Sequence, residues 1–336
     1  MTAEILPTHT PVLFQNAVRR AAELLRAGGV VALPTETVYG LAANALDEKA
    51  VAKIFRIKGR PAHNPIIVHV ATVEMAKRCT NAWPDNADKL AKAFWPGPLT
   101  LVLPRAKEIP DLVAAGGATV GVRWPGHPLI QAVIRECGFP LAAPSANLSS
   151  RISPTNAEHV RKQLGGKIPL IVDGGQSQVG IESAVLDLSV SPPQVLRPGM
   201  IHVESLAAVV GEVTSDPRQV TGKDPLGSPG LLKKHYSPKA KLKVLNWHDD
   251  ADLNSQLSTL NPQLSACHVI AHSRIPSAEN FVRVSVIPHD AEAFARAIYA
   301  ELHRCDEAGA ELIVVEAPPE SPEWSAIADR LQRAAA

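Results

Sequence analysis

The sequence predicts an α/β protein: a twisted mixed sheet carrying helices, joined by a long linker to a smaller α/β domain. Three observations predict it. Short apolar, β-rich runs alternate with amphipathic helical stretches along most of the 336 residues. Over the first 205 residues the alternation lacks strict βαβ regularity, which favours a mixed sheet over a doubly wound one. From residue 241 it becomes simple strand–helix alternation, the pattern of a small parallel-sheet, Rossmann-like domain. The length suits two domains, and the expected division is 1–205, a linker over 206–240, and 241–336.

The elements follow in order. Residues 14–28 are apolar at helical spacing and stop at Gly28-Gly29. VVALP at 30–34 is a buried strand ending at a proline. Residues 47–58 form a helix with Asp47 as its N-cap. PIIVHVA is a strand, a helix follows around 86–94, and LTLVLPR and TVGVRWP are strands. HPLIQAVIREC is a helix, LAAPSAN a strand running into a turn, and AEHVRKQLG a helix. PLIVDGG, ESAVLDLS and QVLRPG complete the strands of the first domain. The stretch DPRQVTGKDPLGSPG has no period and is rich in Pro, Gly and polar residues, hence a linker or lid. Beyond it, KLKVLNW, HVIAHS, VRVSVI and AELIVVEA read as strands. A helix over 291–309 stops at Gly309, and a last one starts with Ser321 as N-cap and Pro322 in its first turn.

Composition narrows the function. The four cysteines are scattered, so CxxC and zinc-type spacings are absent and reduced cytoplasmic thiols are expected. The first residues, MTAEILPTHT, do not read as a signal peptide, and no apolar run is long enough to cross a membrane. Aromatics make up only 4%, which disfavours a base-stacking surface. Residues 1–205 carry 21 Lys+Arg against 16 Asp+Glu, whereas residues 241–336 carry 8 against 14. A positive first domain suits an anionic ligand, and an acidic tail does not suit RNA.

The phosphate-binding GxxxxGK[ST] and GxGxxG signatures, HExxH and GxSxG are all missing. Polar clusters at strand ends stand in their place. PTETVYG at 34–40 follows a strand, where ligand contacts gather, although the same residues suit a turn with a helix cap. Lys58, Arg60 and Asn64 lie in KGRPAHNP; a lysine and an arginine flanking a glycine suit phosphate oxygens, or equally a basic helix end. His69 lies within a strand, as core histidines also do. Arg123 alternates with apolar neighbours in TVGVRWP, and a buried cation there needs a partner. Ala143, Ser145, Asn147 and Ser153 belong to a small, hydroxyl-rich segment that suits either an anion or a turn. Ser183, Arg197 and the basic, aromatic segment around Tyr236 complete the set. The inventory of cations and hydroxyls with few carboxylates, chiefly Glu36, Asp173 and Glu182, favours an anionic ligand over a protein-held metal.

The runs PTETVYGL, KGRPAHNP, FWPGPLTLVL, VGVRWP, PSANLS, SPT and VLRPGM resemble the YrdC-like family, in unbroken order over about the first 205 residues. SPGLLKKHYSPK followed by a small α/β domain resembles the family's two-domain form. The resemblance implies a basic concave cavity and a nucleotidyltransferase. That enzyme would condense L-threonine, bicarbonate or CO2 and ATP to threonylcarbamoyl-AMP and pyrophosphate, with Mg2+ accompanying the ATP. A tRNA threonylcarbamoyl transferase would follow it, and weak tRNA binding is possible within the family's chemistry. By the same resemblance, Lys58 and Arg60 are the catalytic cations. Arg60, Asn64, Thr119, Ser145, Asn147, Ser153, Arg197 and Tyr236 would meet ATP. Thr37, His69, Arg123, Ala143 and Ser183 would meet threonine. One position departs: the family commonly has glycine where this chain has Ser150, so an unusual backbone angle is expected there. An RNA-binding module without ATP turnover is the alternative, disfavoured by the near-neutral charge. A carbamoyl-transfer enzyme of the hydrogenase-maturation type would need paired zinc-binding cysteines, which this chain lacks.

Overall fold

A computed structural model describes residues 2–215, 228–230, 232, 234–259 and 267–336. The chain divides into two units, residues 1–149 with 153–232, and residues 150–152 with 233–336. The boundary thus falls inside the expected linker, of which residues 216–227, 231 and 233 lie outside the described residues.

The first unit opens with β1 (Glu4–Pro7) and α1 (Pro11–Arg26). The helix starts earlier than its apolar period suggested, because Thr10 accepts the Leu13 N–H and Pro11 fits the first turn. Its buried stripe is Ala17, Val18, Ala21, Ala22 and Leu25, and Gly28 at φ +70° ends it. β2 (Val31–Leu33) is buried on both faces. PTETVYG caps no helix. It turns back into β3 (Gly40–Asn44), antiparallel to β2 with Leu33 opposite Gly40. α2 (Glu48–Lys58) is capped by Asp47 as expected, and ends on Gly59 at φ +63°. The strand expected over PIIVHVA contracts to β4 (Val68–His69). Next come α3 (Val73–Arg78), α4 (Asp85–Phe94), β5 (Leu99–Pro104), β6 (Thr119–Arg123), α5 (Pro128–Cys137) and β7 (Leu141–Ala142). The unit continues with α6 (Ala157–Leu164), β8 (Leu170–Asp173), β9 (Ala184–Asp187), β10 (Gln194–Arg197) and α7 (Val203–Val210).

The ten strands among the described residues form one sheet, in the order β1-β8-β2-β3-β7-β4-β6-β5-β9-β10. Parallel pairs (β1 with β8, β4 with β6, β5 with β9) interleave with antiparallel ones, which is the mixed sheet the irregular alternation predicts. Side chains two apart share a face. On β5 and β6, Leu99, Leu101, Leu103, Val120 and Val122 therefore enter the core, leaving Thr100, Thr119, Gly121 and Arg123 on the opposite face.

The second unit comprises β11 (Lys241–Leu245), α8 (Asp250–Ser258), β12 (Cys267–Ala271), β13 (Arg283–Val286), α9 (Ala291–Glu307), β14 (Leu312–Glu316) and α10 (Ser325–Ala335). Its four strands among the described residues are all parallel, in the order β11-β14-β12-β13. Trp247, Leu253, Cys267, Val269, Leu312 and Val314 are buried together in its core. The last helix begins later than expected: Pro322–Trp324 form a 3-10 turn, and α10 starts at Ser325. Ser150 adopts φ +64°, in line with its expected strain, and its carbonyl accepts the Ser237 N–H at 2.9 Å. No described helix is long and apolar enough to cross a membrane.

Candidate active site

The PTETVYG turn is the hub of the site. Thr35 Oγ1 accepts from the Thr37 and Val38 N–H groups and donates to the Val38 carbonyl at 2.6 Å, which closes the turn without a helix. Two other loops zip onto it. Ala146 N–H donates to the Tyr39 carbonyl and Leu41 N–H to the Pro144 carbonyl, which brings the segment Ala143–Asn147 alongside. Val179 and Gly180 N–H groups donate to the Glu36 and Thr37 carbonyls, which brings the approach to Ser183 against the other side.

Into this frame β6 delivers Arg123, only 4% exposed. Its guanidinium donates to Glu36 Oε1 at 2.6 Å, Thr37 Oγ1 at 3.0 Å and the Gly97 carbonyl at 3.1 Å. Burial works against the Glu36 charge, but Arg123 and the Gly126 N–H outweigh it and hold the carboxyl below its ordinary value. Thr100, beside Arg123 across the β5–β6 pairing, shares a 2.8 Å hydrogen bond with Ser183 Oγ. Arg197 donates to the Ser183 carbonyl at 3.0 Å and to Ser183 Oγ at 3.2 Å. Ser153 donates to Glu182 at 2.6 Å.

The basic segment is equally enclosed. Lys58 Nζ donates to the Ser145 and Asn147 carbonyls at 2.6 Å each, and to Asn147 Oδ1 at 3.3 Å. Burial first, and the neighbouring Arg60 charge second, push its ammonium well below the ordinary lysine range. Arg60 grips Asn64, with Nη2 on Oδ1 at 2.7 Å and Nε on its carbonyl at 3.0 Å. Lys58, Arg60, Arg123 and Arg197 are all at most 9% exposed, so all four charged side chains are enclosed by protein.

The sequence candidates thus fall into separate small clusters on segments bonded to the turn: Arg123 with Thr37, Lys58 with Ser145 and Asn147 on the segment that also carries Ala143, Arg197 with Ser183, and Ser153 with Glu182, while Arg60 and Asn64 hold each other and His69 feels the Arg123 and Glu36 charges. Thr119 is on the same face of β6 as Arg123 but at the far end of the strand, with Gly121 between. Tyr236 is in the second unit, its ring stacked on Tyr299 with Arg330 over it. Sequence reasoning left Thr100 out of the site, and it counted Glu36 and Glu182 only as carboxylates without giving them partners. The signal for Glu36 was its place in PTETVYG; for Thr100 it was the polar residue inside an apolar strand.

Three polar atoms of the site, Glu36 Oε2, Asn64 Nδ2 and His69 Nδ1, are buried without a protein partner. Such groups are rare in folded proteins and suit a polar ligand. Among the described residues no three His, Cys, Asp or Glu side chains cluster as a metal site.

Burial, then the Arg123 charge, depress the His69 pKa to about 3, so the ring is neutral at pH 7. The unfolded chain takes up this proton near pH 6.5. Between those values the unfolded state binds more protons, so this contribution to stability is lost as pH falls from 6.5 towards 3. Urea titrations across that window will show a flatter pH dependence for His69→Gln than for the unsubstituted chain. A second prediction concerns Gly199. A Cβ there would lie 2.2 Å from the Ala184 backbone nitrogen, which cannot move aside as a side chain can. Gly199→Ala is expected to cost about 1–3 kcal/mol in urea unfolding.

Known proteins bear on this arrangement. A family model described as Telomere recombination, for Sua5, YciO and YrdC proteins, matches residues 23–199. One described as Threonylcarbamoyl-AMP synthase, C-terminal domain, matches residues 201–336. The chain is 40% identical over 322 residues to the threonylcarbamoyl-AMP synthase of Pyrococcus abyssi, covering 94% of this chain and 93% of that one. It is 40% identical to the Bacillus subtilis protein of the same name, covering 95% and 92%. The crystal structure of P. abyssi Sua5 complexed with L-threonine matches with a TM-score of 0.91 at 37% identity, over 99% of this chain and 98% of that chain. Escherichia coli YciO matches 59% of this chain with a TM-score of 0.53 at 26% identity.

Proposed function

Because the chain belongs to the threonylcarbamoyl-AMP synthase family, we propose that these buried clusters form the site where L-threonine, bicarbonate or CO2 and ATP become threonylcarbamoyl-AMP and pyrophosphate. The chain is an enzyme, an ATP-using, adenylyl-transferring synthase. The observation that supports the assignment to this site is that three buried cations, Lys58, Arg123 and Arg197, bond Ser145, Thr37 and Ser183 on segments that are themselves bonded to, or part of, one turn.

In this reading the threonine amine adds to CO2, losing one proton, and forms a carbamate. A carbamate oxygen then attacks the α-phosphorus of ATP in line with the departing pyrophosphate. A new P–O bond forms as the bond to the β-phosphate oxygen breaks. No side chain serves as nucleophile; positioning and charge stabilisation do the work. Thr37, neutral His69, Arg123, Ala143 and Ser183 would hold threonine, with Arg123 meeting its carboxylate or the carbamate. Arg60, Asn64, Thr119, Ser145, Asn147, Ser153 and Arg197 would hold the nucleotide in a basic concave cavity, with Lys58 and Arg60 as catalytic cations. Tyr236 would close over it from the second unit, which we read as a small Rossmann-like domain. Carbamates decompose readily in water, so closure would protect the intermediate. Mg2+ fits as a companion of the nucleotide, held by phosphate oxygens and water, and would neutralise phosphate charge. The product is an activated acyl adenylate, which a tRNA threonylcarbamoyl transferase would consume in the cytoplasm.

Incubation with ATP, bicarbonate and labelled threonine should yield a labelled AMP-linked product and pyrophosphate in equal amounts. Tight RNA binding with no pyrophosphate would favour the non-catalytic alternative. Unchanged turnover and ATP affinity in Tyr236→Ala would dispose of the closing role.

A further inference from the structure

A second concentration of positive charge lies entirely within the second unit. A concavity of about 540 Å³ is lined by Arg151, Lys234, Lys239, Lys241 and Lys243, with Ser237 and Ala334–Ala336 beside them. We propose that it is a phosphate-binding site, distinct from the synthase site and spaced for successive phosphates of an RNA strand.

The charge is local and goes against its surroundings. Residues 241–336 carry 8 Lys+Arg against 14 Asp+Glu, yet the two lysines in that stretch, Lys241 and Lys243, both line this concavity. Among the described residues, Lys234, Lys239, Lys241 and Lys243 make no ion pair. Lysine is a compact, hydrated point charge that suits non-directional phosphate contact.

The spacing is built by the backbone. Lys241 and Lys243 occupy alternate positions of β11, about 6.7 Å apart on one side of the strand, and Lys239 stands at the bend that leads into it. The approach is pinned: the Asp306 carboxylate accepts the Lys239 N–H at 2.8 Å and the Ala240 N–H at 3.1 Å. The Ser237 N–H bonds to the Ser150 carbonyl, which brings Arg151 to the same rim. The backbone is thus fixed while Lys239 and Lys241 remain exposed. Among the described residues no aromatic side chain lines the concavity, so the contact would be with backbone phosphates rather than stacked bases.

A simpler explanation exists for part of the pattern. β11 is an edge strand, and lysines on edges deter pairing with other chains. That accounts for Lys241 and Lys243. It does not account for Arg151, Lys234 and Lys239, which lie outside the strand and line the same hollow.

The test compares the full chain with K239E/K241E/K243E and with K239Q/K241Q/K243Q, all three first matched for thermal midpoint. The probes are a fluorescein-labelled RNA hairpin, followed by anisotropy, and inorganic pyrophosphate, followed by calorimetry. The charge-reversed variant should bind the hairpin at least about ten-fold more weakly, with the glutamine variant in between. The slope of log affinity against log salt should shrink by about 2–3, from three lost contacts at about 0.7–0.9 each. Synthesis from ATP, threonine and bicarbonate should be unchanged without RNA. Weakened pyrophosphate binding at a second site with intact hairpin binding would keep the phosphate site but assign it to a small anion. Equal binding of both probes by all three proteins would overturn the proposal and leave the lysines as edge guards.

Discussion

Arg123→Met will abolish threonylcarbamoyl-AMP synthesis and destabilise the fold by about 3–5 kcal/mol, the usual cost of stranding one member of a buried ion pair. Both effects follow from one geometry. The guanidinium is almost fully buried and bonds Glu36, Thr37 and a backbone carbonyl at once. Removing it leaves the Glu36 carboxylate buried with no countercharge and leaves the Thr37 hydroxyl with Thr35 Oγ1 but without its guanidinium donor. The double variant Glu36→Gln/Arg123→Met separates the two losses. It strands no charge, so it should recover most of the stability, because a buried ion pair contributes little net over neutral replacements. It should recover no activity.

The pH dependence gives a sharper version. In the intact protein Glu36 sits below its ordinary value of 4.5, so its contribution is present above that pH and is lost as pH falls through the folded value. Without Arg123, burial, the largest influence on the group, is opposed only by the backbone N–H groups of Gly126 and Glu36 itself, and the Glu36 pKa is expected to rise above that of the unfolded chain. Its stabilising contribution is then present below pH 4.5 and is lost as pH rises. The single variant should therefore fall further behind the double variant as pH climbs from 4.5, with His69 common to both. A gap that stays constant or closes would mean that Glu36 is not stranded.

Much of the first sheet was legible in the sequence because its strands are apolar runs bounded by Pro and Gly. What escaped has physical reasons. β3, Gly40–Asn44, is made of small residues with weak strand preference; its pairing with β2 and β7 imposes the extended form. α8 offers only Leu253 and Leu257 as buried residues, too few to show a period. α7 begins inside the first domain but runs past residue 205, where the polar composition sets in. Within the site, the residues that gather were legible, because they cluster at strand ends. Their partners were not. Glu36 and Arg123 are 87 residues apart, and Lys58 bonds backbone carbonyls that any sequence would offer.

Lys58 shows what that difference means for mechanism. An ammonium has three N–H donors, and the structure places them on the Ser145 carbonyl, the Asn147 carbonyl and the Asn147 side chain. A lysine so engaged acts first by holding the 145–147 segment in place. It reaches a phosphate only by giving up one of these bonds, most readily the 3.3 Å contact to Asn147 Oδ1. Lys58→Met should lower the rate of synthesis by about 10²–10³-fold, comparable to losing a donor at a preorganised charged site. It should also cost about 1–3 kcal/mol of stability, because the deserted carbonyls remain buried. Lys58→Arg discriminates between the two roles. Its planar fork retains the charge but cannot meet the same three acceptors. If bracing dominates, the arginine variant will be about as slow as the methionine variant and nearly as unstable. Should arginine instead restore turnover while stability stays low, the charge itself must act on the phosphates. Steady-state kinetics beside urea unfolding of the same two proteins decides between them.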